Sequence, residues 1–398
     1  MRDLATAVHQ AEPIPEAARA EIDRLLETGD LFRYTAPSDA PVSLLERDFA
    51  AEMGVRFALA VNSCSSAIFL ALRALGLAPG APVLVPAFTF AAVPSAIVHA
   101  GLTPVLVEVG DNYRIDLDDF RAKLTSGVGA VVISHMRGHT SDMDAIMQAA
   151  DAAGVPVIED AAHSLGTIWK GRKIGTIGRA GCLSFQSYTM INGGEGGVLI
   201  TDDEDLFAQA VIMSGAYEHN WKKHPALTAR LAAHQNMLPL YNMRMNNLSA
   251  AVIRPQIAEI GRRVSQGRRN HDLVAGLLAE SPWVSVPAPL PGEERAPDSL
   301  QFNLVGWSDT EVADLLAAAA VRGVNLSVFG LSADNARAFW NWRFLGPVPE
   351  LPKTRAMLMR ACDTRLPARL SEEECRTIAA AILSAVDEAK GPVARYGT

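Results

Sequence analysis

Between residues 57 and 202 the chain repeatedly alternates short apolar runs with longer segments of helical character, and this alternation limits its fold more than any other feature. The runs are FALAV (57–61), PVLVPAF (82–88), TPVLVEV (103–109), GAVVISH (129–135), VPVIED (155–160), GCLSF (181–185) and GGVLITD (196–202). Runs this short, with no polar residue at every second position, are buried on both faces, so helices must cover both sides of the sheet. Segments such as SSAIFLALRALG (65–76) and DMDAIMQAADAAG (142–154) supply them, each closing on a glycine suited to a helix C-terminus. The expected class is α/β with a mixed, mostly parallel sheet. Ligands of such sheets gather at the carboxyl ends of the strands, so the residues after each run are the candidate site.

Beyond residue 244 the pattern changes. MNNLSAAVIRPQIAEIGRRVSQGRRN (245–270) reads as one long helix, and the Pro-rich SPWVSVPAPLPGEERAPDS (281–299) as an exposed excursion or strand edge. SLQFNLVGW reads as a strand, and DTEVADLLAAAAVRG and SEEECRTIAAAILSAVDEA as helices, the last opened by a Ser371–Glu374 capping box. Two domains are expected: a large one over 1–250, including an N-terminal segment, and a smaller α+β one over 251–398. With 49% hydrophobic and 20% charged residues among 398, both can bury a core.

A net charge of −8 argues against a nucleic-acid or anionic-membrane partner and makes a small molecule the expected ligand. Cys64, Cys182, Cys362 and Cys375 are scattered, which suggests reduced thiols and no metal site. The polar N-terminus lacks the apolar core of a signal peptide, and no apolar run approaches the ~20 residues of a spanning helix, so a cytoplasmic protein is expected.

Several strand ends carry polar groups. Asp160 closes VIED and His163 follows; a carboxylate buried there needs a cationic or hydrogen-bonding partner, such as a protonated heteroaromatic nitrogen. Ser63, Ser65 and Ser66 precede a helix, a position for binding phosphate or simply for capping. Phe88 and Phe90 are candidates for stacking on a flat ligand, or for the core. His135, Arg137 and His139 follow another strand and face either substrate or a loop whose Asp142 caps the next helix. GGEGG (193–197) reads as a turn built on glycine freedom.

Taken in order, from LLERDFAAEMGVRFALAVNS to DTRLPARLSEEE, these motifs resemble the DegT-type sugar aminotransferases, fold-type I pyridoxal phosphate enzymes. The resemblance implies that Asp160 pairs with the pyridinium nitrogen and that His163 lies near the cofactor's 3-oxygen. It assigns the phosphate to Ser63-Cys64-Ser65-Ser66 and Ser184, and the stacking ring to Phe90. Asn242, in YNMR, would cross to a neighbouring subunit's phosphate, implying a homodimer with a shared site. Arg244 would grip a substrate carboxylate, and Arg33 and Tyr34 would border the substrate pocket. The implied reaction moves an amino group from glutamate or glutamine to a keto-sugar or keto-cyclitol.

One position departs from the family. Its lysine stands five residues after the serine and six before the Glu of GEGG, where this chain has Thr189. A hydroxyl cannot form a Schiff base, nor serve unaided as a general base near neutral pH. Pyridoxal or pyridoxamine phosphate would therefore be held without a covalent link. Three readings follow: an active aminotransferase altered at this position and left impaired; a lysine-independent enzyme, such as a deoxysugar dehydratase, in which His163 or Tyr188 moves the proton; or a non-catalytic binding subunit. Lys170, Lys173, Lys222 and Lys223 lie outside the family's cofactor motifs and read as solvated charge.

Overall fold

The computed structural model describes residues 8–34 and 38–391. Strands β1 (Phe57–Val61), β2 (Pro82–Pro86), β3 (Thr103–Val107), β4 (Ala130–Ser134) and β5 (Val157–Asp160) follow the apolar runs. A hairpin of β6 (Ile168–Trp169) and β7 (Arg172–Lys173) leads to β8 (Ala180–Ser184) and β9 (Gly197–Thr201). The central sheet has the order β1-β9-β8-β5-β4-β2-β3. Strand β9 pairs antiparallel with β1 and β8, and the remaining pairings are parallel. Six strands thus end at one edge of the sheet, and β9 begins there.

Helices cover both faces. One face packs Leu70, Val83, Val85 and Val132; the other packs Phe49, Leu84, Val131 and Ile146. The helix Met143–Ala153 starts at Asp142, whose side chain accepts from Ala145 N–H, and ends at Gly154 with φ 66°.

A second sheet contains β10 (Val284–Ser285), β12 (Ser299–Leu304), β13 (Ser327–Val328) and β14 (Ala361–Arg365) in the order β10-β12-β14-β13. Its core includes Phe302, Leu315 and Ile378, contributed in part by the helices Asp309–Val321 and Glu372–Lys390. The Ser371–Glu374 capping box opens the latter helix as expected. The Pro-rich excursion supplies edge strand β10 and also β11 (Glu293–Glu294), which joins β6 and β7 in a small third sheet.

One expected element is broken. The single helix over 245–270 is instead Asn247–Ile253, a 3₁₀ segment Arg254–Glu259, and Ile260–Leu278. Pro255 explains the break, since it has no N–H to donate and its ring crowds the preceding turn. The boundary expected at residue 250 falls inside the first of these helices.

Among the described residues no helix is long and apolar enough to cross a membrane. The four cysteines are unpaired, with Cys182, Cys362 and Cys375 buried.

Candidate active site

At the strand-end edge lies a cavity of about 600 Å³. Ser65, Phe90, Asp160, His163, Ser184 and Thr189 line it, together with Arg137 from the turn after β4. The second sheet's part of the chain adds Arg337 and Arg365.

Asp160 ends β5 and is 6% exposed. Its Oδ2 accepts from Ser134 Oγ at 2.5 Å, and Ser134 in turn accepts from Thr89 Oγ1 at 2.8 Å. Its Oδ1 accepts from Ala162 N–H at 3.2 Å and from Cys64 Sγ at 3.8 Å. Burial nevertheless pushes the Asp160 carboxyl up from its usual range, against the pull of these donors. A cationic donor entering the cavity would relieve that cost. His163 lies in the same wall with Nδ1 buried and unpartnered, and burial, reinforced by Arg137, holds its pKa well below the usual value. It is therefore a neutral imidazole with a free nitrogen.

The helix Cys64–Ala74 begins at Ser63, whose hydroxyl accepts from Ser66 N–H at 3.1 Å. First-turn N–H groups have no partner inside a helix, so those of Cys64 and Ser65 remain for a ligand. Strand β9 runs so close beneath this turn that a Cβ built on Gly197 would lie 2.4 Å from Cys64 N. Ser184, at the end of β8, accepts from Gln186 N–H at 3.1 Å and faces the cavity. Phe90 is 45% exposed and lines it as well, whereas Phe88 belongs to the core at 1%.

Thr189 stands in this wall, 9% exposed. Its hydroxyl is turned into its own loop, 2.9 Å from the carbonyl oxygens of Ser184 and Gln186 and 3.3 Å from that of Ile191. Surrounded by acceptors, the hydroxyl serves as a donor within its own loop.

Four of the expected ligands lie outside this cavity, and a fifth, Asn242, is expected at a partner's cavity rather than its own. Arg33 is buried against Glu46 at 2.7 Å and Ala60 O at 2.9 Å, so its guanidinium is committed to the core. Tyr34, 5% exposed, packs edge-on against Phe32 and His224. Arg244 donates to Gly215 O at 3.0 Å and lies over the rings of Phe32 and Tyr217. Ser66 Oγ is used locally, 2.6 Å from Asn62 Oδ1, and borders a neighbouring groove rather than this cavity. Asn242 is exposed and does not line the cavity of its own chain.

Arg137 does line the cavity, with its backbone at φ 56° and its guanidinium 2.6 Å from Asp363 Oδ2. Arg337 and Arg365 were not foreseen. The only sequence signal was DTRLP, which follows a short apolar run; nothing local marks Arg337. Lys170 and Lys173 pair with Asp144 and Glu52, and none of the four lysines weighed from sequence lines the cavity. Lys223 departs from the solvated reading, since its Nζ is buried without a hydrogen bond. Among the described residues no cluster of three or more His, Cys, Asp or Glu is placed to hold a metal.

These residues fit a pyridoxal-type group: a buried carboxylate in want of a cation, an orphaned imidazole nitrogen, a helix N-terminus with a serine beside it, and an exposed ring. The comparisons agree. A model of the DegT/DnrJ/EryC1/StrS aminotransferase family matches residues 17–383. The spore coat polysaccharide biosynthesis protein SpsC of Bacillus subtilis (strain 168) is 36% identical over 260 residues, which span 64% of this chain and 64% of that protein, slightly under two thirds of its length. The 3-amino-5-hydroxybenzoate synthase of Amycolatopsis mediterranei (strain S699) is 31% identical over 283 residues, covering 71% of this chain and 69% of that one. A sugar aminotransferase structure from Streptococcus pneumoniae, described as putative and solved in a PLP form, superposes with a TM-score of 0.82 at 22% identity, covering 96% of this chain and 98% of that one, and so supports the fold.

Proposed function

The chain belongs to the DegT/DnrJ/EryC1/StrS aminotransferase family, and from that premise we propose that it holds pyridoxal or pyridoxamine 5'-phosphate non-covalently and carries out an impaired amino transfer between glutamate or glutamine and a keto-sugar or keto-cyclitol. The fold is that of a fold-type I aminotransferase, and the family's cofactor is pyridoxal or pyridoxamine phosphate.

The observation that carries this reading is Asp160: a buried carboxyl, pushed up by desolvation despite its donors, opening on the cavity beside an unpartnered His163 nitrogen. When bound, the cofactor supplies an electron sink for charge developing beside the reacting nitrogen. The rest falls to the chain. Asp160 accepts from the ring nitrogen and keeps it protonated. The first-turn N–H groups after Ser63, with Ser65 and Ser184, bind the phosphate, and Phe90 covers the ring. His163, kept neutral by burial, donates to or accepts from the ring oxygen.

Thr189 supplies neither covalent tether nor proton shuttle. Proton transfer is left to His163 or to Tyr188, which is 45% exposed and lines the cavity. The free His163 nitrogen is also what favours the second reading, a lysine-independent reaction of the deoxysugar-dehydratase kind. The exposed Asn242 supports a homodimer in which that side chain completes the partner's site.

The deciding experiment adds pyridoxal phosphate to this chain and to Thr189→Lys, then follows visible absorbance through gel filtration and glutamate-dependent turnover. The lysine variant is expected to retain a coloured cofactor and to gain turnover. Many turnovers by the unaltered chain with no improvement in the variant would overturn the impaired-transferase reading, and absence of cofactor binding by both would overturn the enzyme reading as well.

A further inference from the structure

Three guanidinium groups enter the cavity that holds Asp160: Arg137, Arg337 and Arg365. Only Arg137 has an ion-pair partner among the described residues, the Asp363 carboxylate at 2.6 Å. Arg337 lies 5.7 Å from the Phe90 ring centroid and 5.9 Å from that of Phe329, and Arg365 lies 4.6 Å from that of Tyr188. An aromatic face steadies the guanidinium plane while leaving its N–H edge free for a ligand. The Nε atoms of Arg137 and Arg337 are buried with no hydrogen-bond partner.

Two fully buried arginines of this chain are neutralised at short range, while a third, Arg295, has no ion-pair partner among the described residues. Arg33 meets Glu46 at 2.7 Å, and Arg114 pairs with Glu293. Arg337 and Arg365 also lack an ion pair, and unlike Arg295 they line the cavity. The other carboxylates at its wall are Asp160, set aside for the cofactor's ring nitrogen, and the exposed Glu195. Burial lowers both free guanidiniums, Arg337 to about 10, and Arg137 adds to this as a like charge. An anion brought in by a ligand would remove that repulsion and satisfy the orphaned donors at once.

We propose that Arg137, Arg337 and Arg365 form a specificity site for a doubly charged oxyanion on the substrate. Its assignment to the substrate rests on the amino-transfer reading above. Two of the three guanidiniums, those of Arg337 and Arg365, have no ion-pair partner among the described residues and are left for the ligand to match. Two sources share this chemistry: a dicarboxylic amino donor, and the diphosphate of a nucleotide-linked sugar. Since Arg337 and Arg365 come from the part of the chain that carries the second sheet, this site makes that part the reader of substrate charge.

The test is a calorimetric titration of glutarate and of inorganic pyrophosphate into the full chain, with and without pyridoxamine phosphate. It is repeated for Arg337→Gln, Arg365→Gln and, as a remote control, Arg376→Gln, which removes an exposed ion pair with Glu372. At least one probe is expected to bind, more weakly as salt is raised, and each cavity variant to weaken it about tenfold or more while the control does not. Tighter glutarate assigns the site to the amino donor, and tighter pyrophosphate to a nucleotide-linked sugar; either supports it. Failure of both probes to bind the unaltered chain, or unchanged binding in the cavity variants, overturns it. Arg337 lies in a loop, so its variant carries the test if Arg365→Gln does not fold. Arginine-dependent probe binding without any cofactor binding would sink the aminotransferase reading and leave the anion site standing.

Discussion

Asp160 is held by a hydroxyl, a backbone N–H and a thiol, yet its carboxyl is still pushed up, because neutral donors do not repay the desolvation of a fully buried charge. The sign has two consequences. A carboxyl with a raised folded pKa costs stability above that pKa and regains it as pH falls through it. In the cofactor-free protein Asp160→Asn is therefore expected to raise the thermal midpoint at neutral pH, read by calorimetry. The same substitution removes a charge-assisted hydrogen bond of about 1.5–3 kcal/mol, so pyridoxamine phosphate should bind roughly 10- to 100-fold more weakly in an equilibrium titration. A lower midpoint together with unchanged affinity would remove Asp160 from its assigned role. At this scale what is legible in the sequence is the place of residues at strand or helix ends, and Asp160, His163, Ser65, Ser184 and Phe90 do line the cavity. Nothing nearby in sequence reveals that Glu46 sits against Arg33, 2.7 Å away in the fold. Nothing local marks Arg337 either, since all its neighbours in the cavity except Arg365 come from the first 200 residues.

Among the elements, strands and helices of the central sheet follow from buried runs and glycine stops, which are local signals. Even the caps of Asp142 and Ser371 are read directly from sequence. The helix over 245–270 misled because its apolar periodicity continues through Pro255, and periodicity alone does not register a missing N–H. The contact of β9 with the first turn of the helix Cys64–Ala74 is a tertiary fact that no local pattern encodes. It gives Gly197 a role beyond its turn. Gly197→Ala puts a Cβ against backbone, 2.3 Å from Ser63 C and 2.4 Å from Cys64 N, where no side chain can swing aside. The strand or the helix must shift, at about 1–3 kcal/mol. The expected result is a lower melting temperature together with loss of affinity for inorganic phosphate and pyridoxamine phosphate; unchanged phosphate binding would show that the cup lies elsewhere.

Across the whole molecule, buried imidazoles set the response to acid. His139 and His163 are held well below the usual pKa by burial, with help from neighbouring arginines, and His224 is lowered to about 3 by burial and then Arg33. The unfolded chain takes up these protons near pH 6.5 and the folded one does not, so the stability these histidines contribute is full above that pH and is lost as pH falls below it. Each histidine contributes about 1.4 kcal/mol per pH unit within that window. Denaturation in urea between pH 7 and pH 5 should show the loss, and His224→Asn should flatten the slope by one histidine's share; an unchanged slope would mean that His224 is charged in the fold.

The reversed strand β9 also decides when the site comes into being. Phe57 pairs with Thr201 and Val61 with Gly197, partners more than a hundred residues apart, so β1 has no neighbour in the sheet until the chain has been made well past β8. Closing a loop of that length precedes any reward from the contact, which slows folding and leaves an apolar strand waiting. Ser65 and Ser184 stand on opposite sides of that late pairing, so a phosphate ligand should first bind as refolding finishes, and its capture marks the completion of the sheet rather than its beginning.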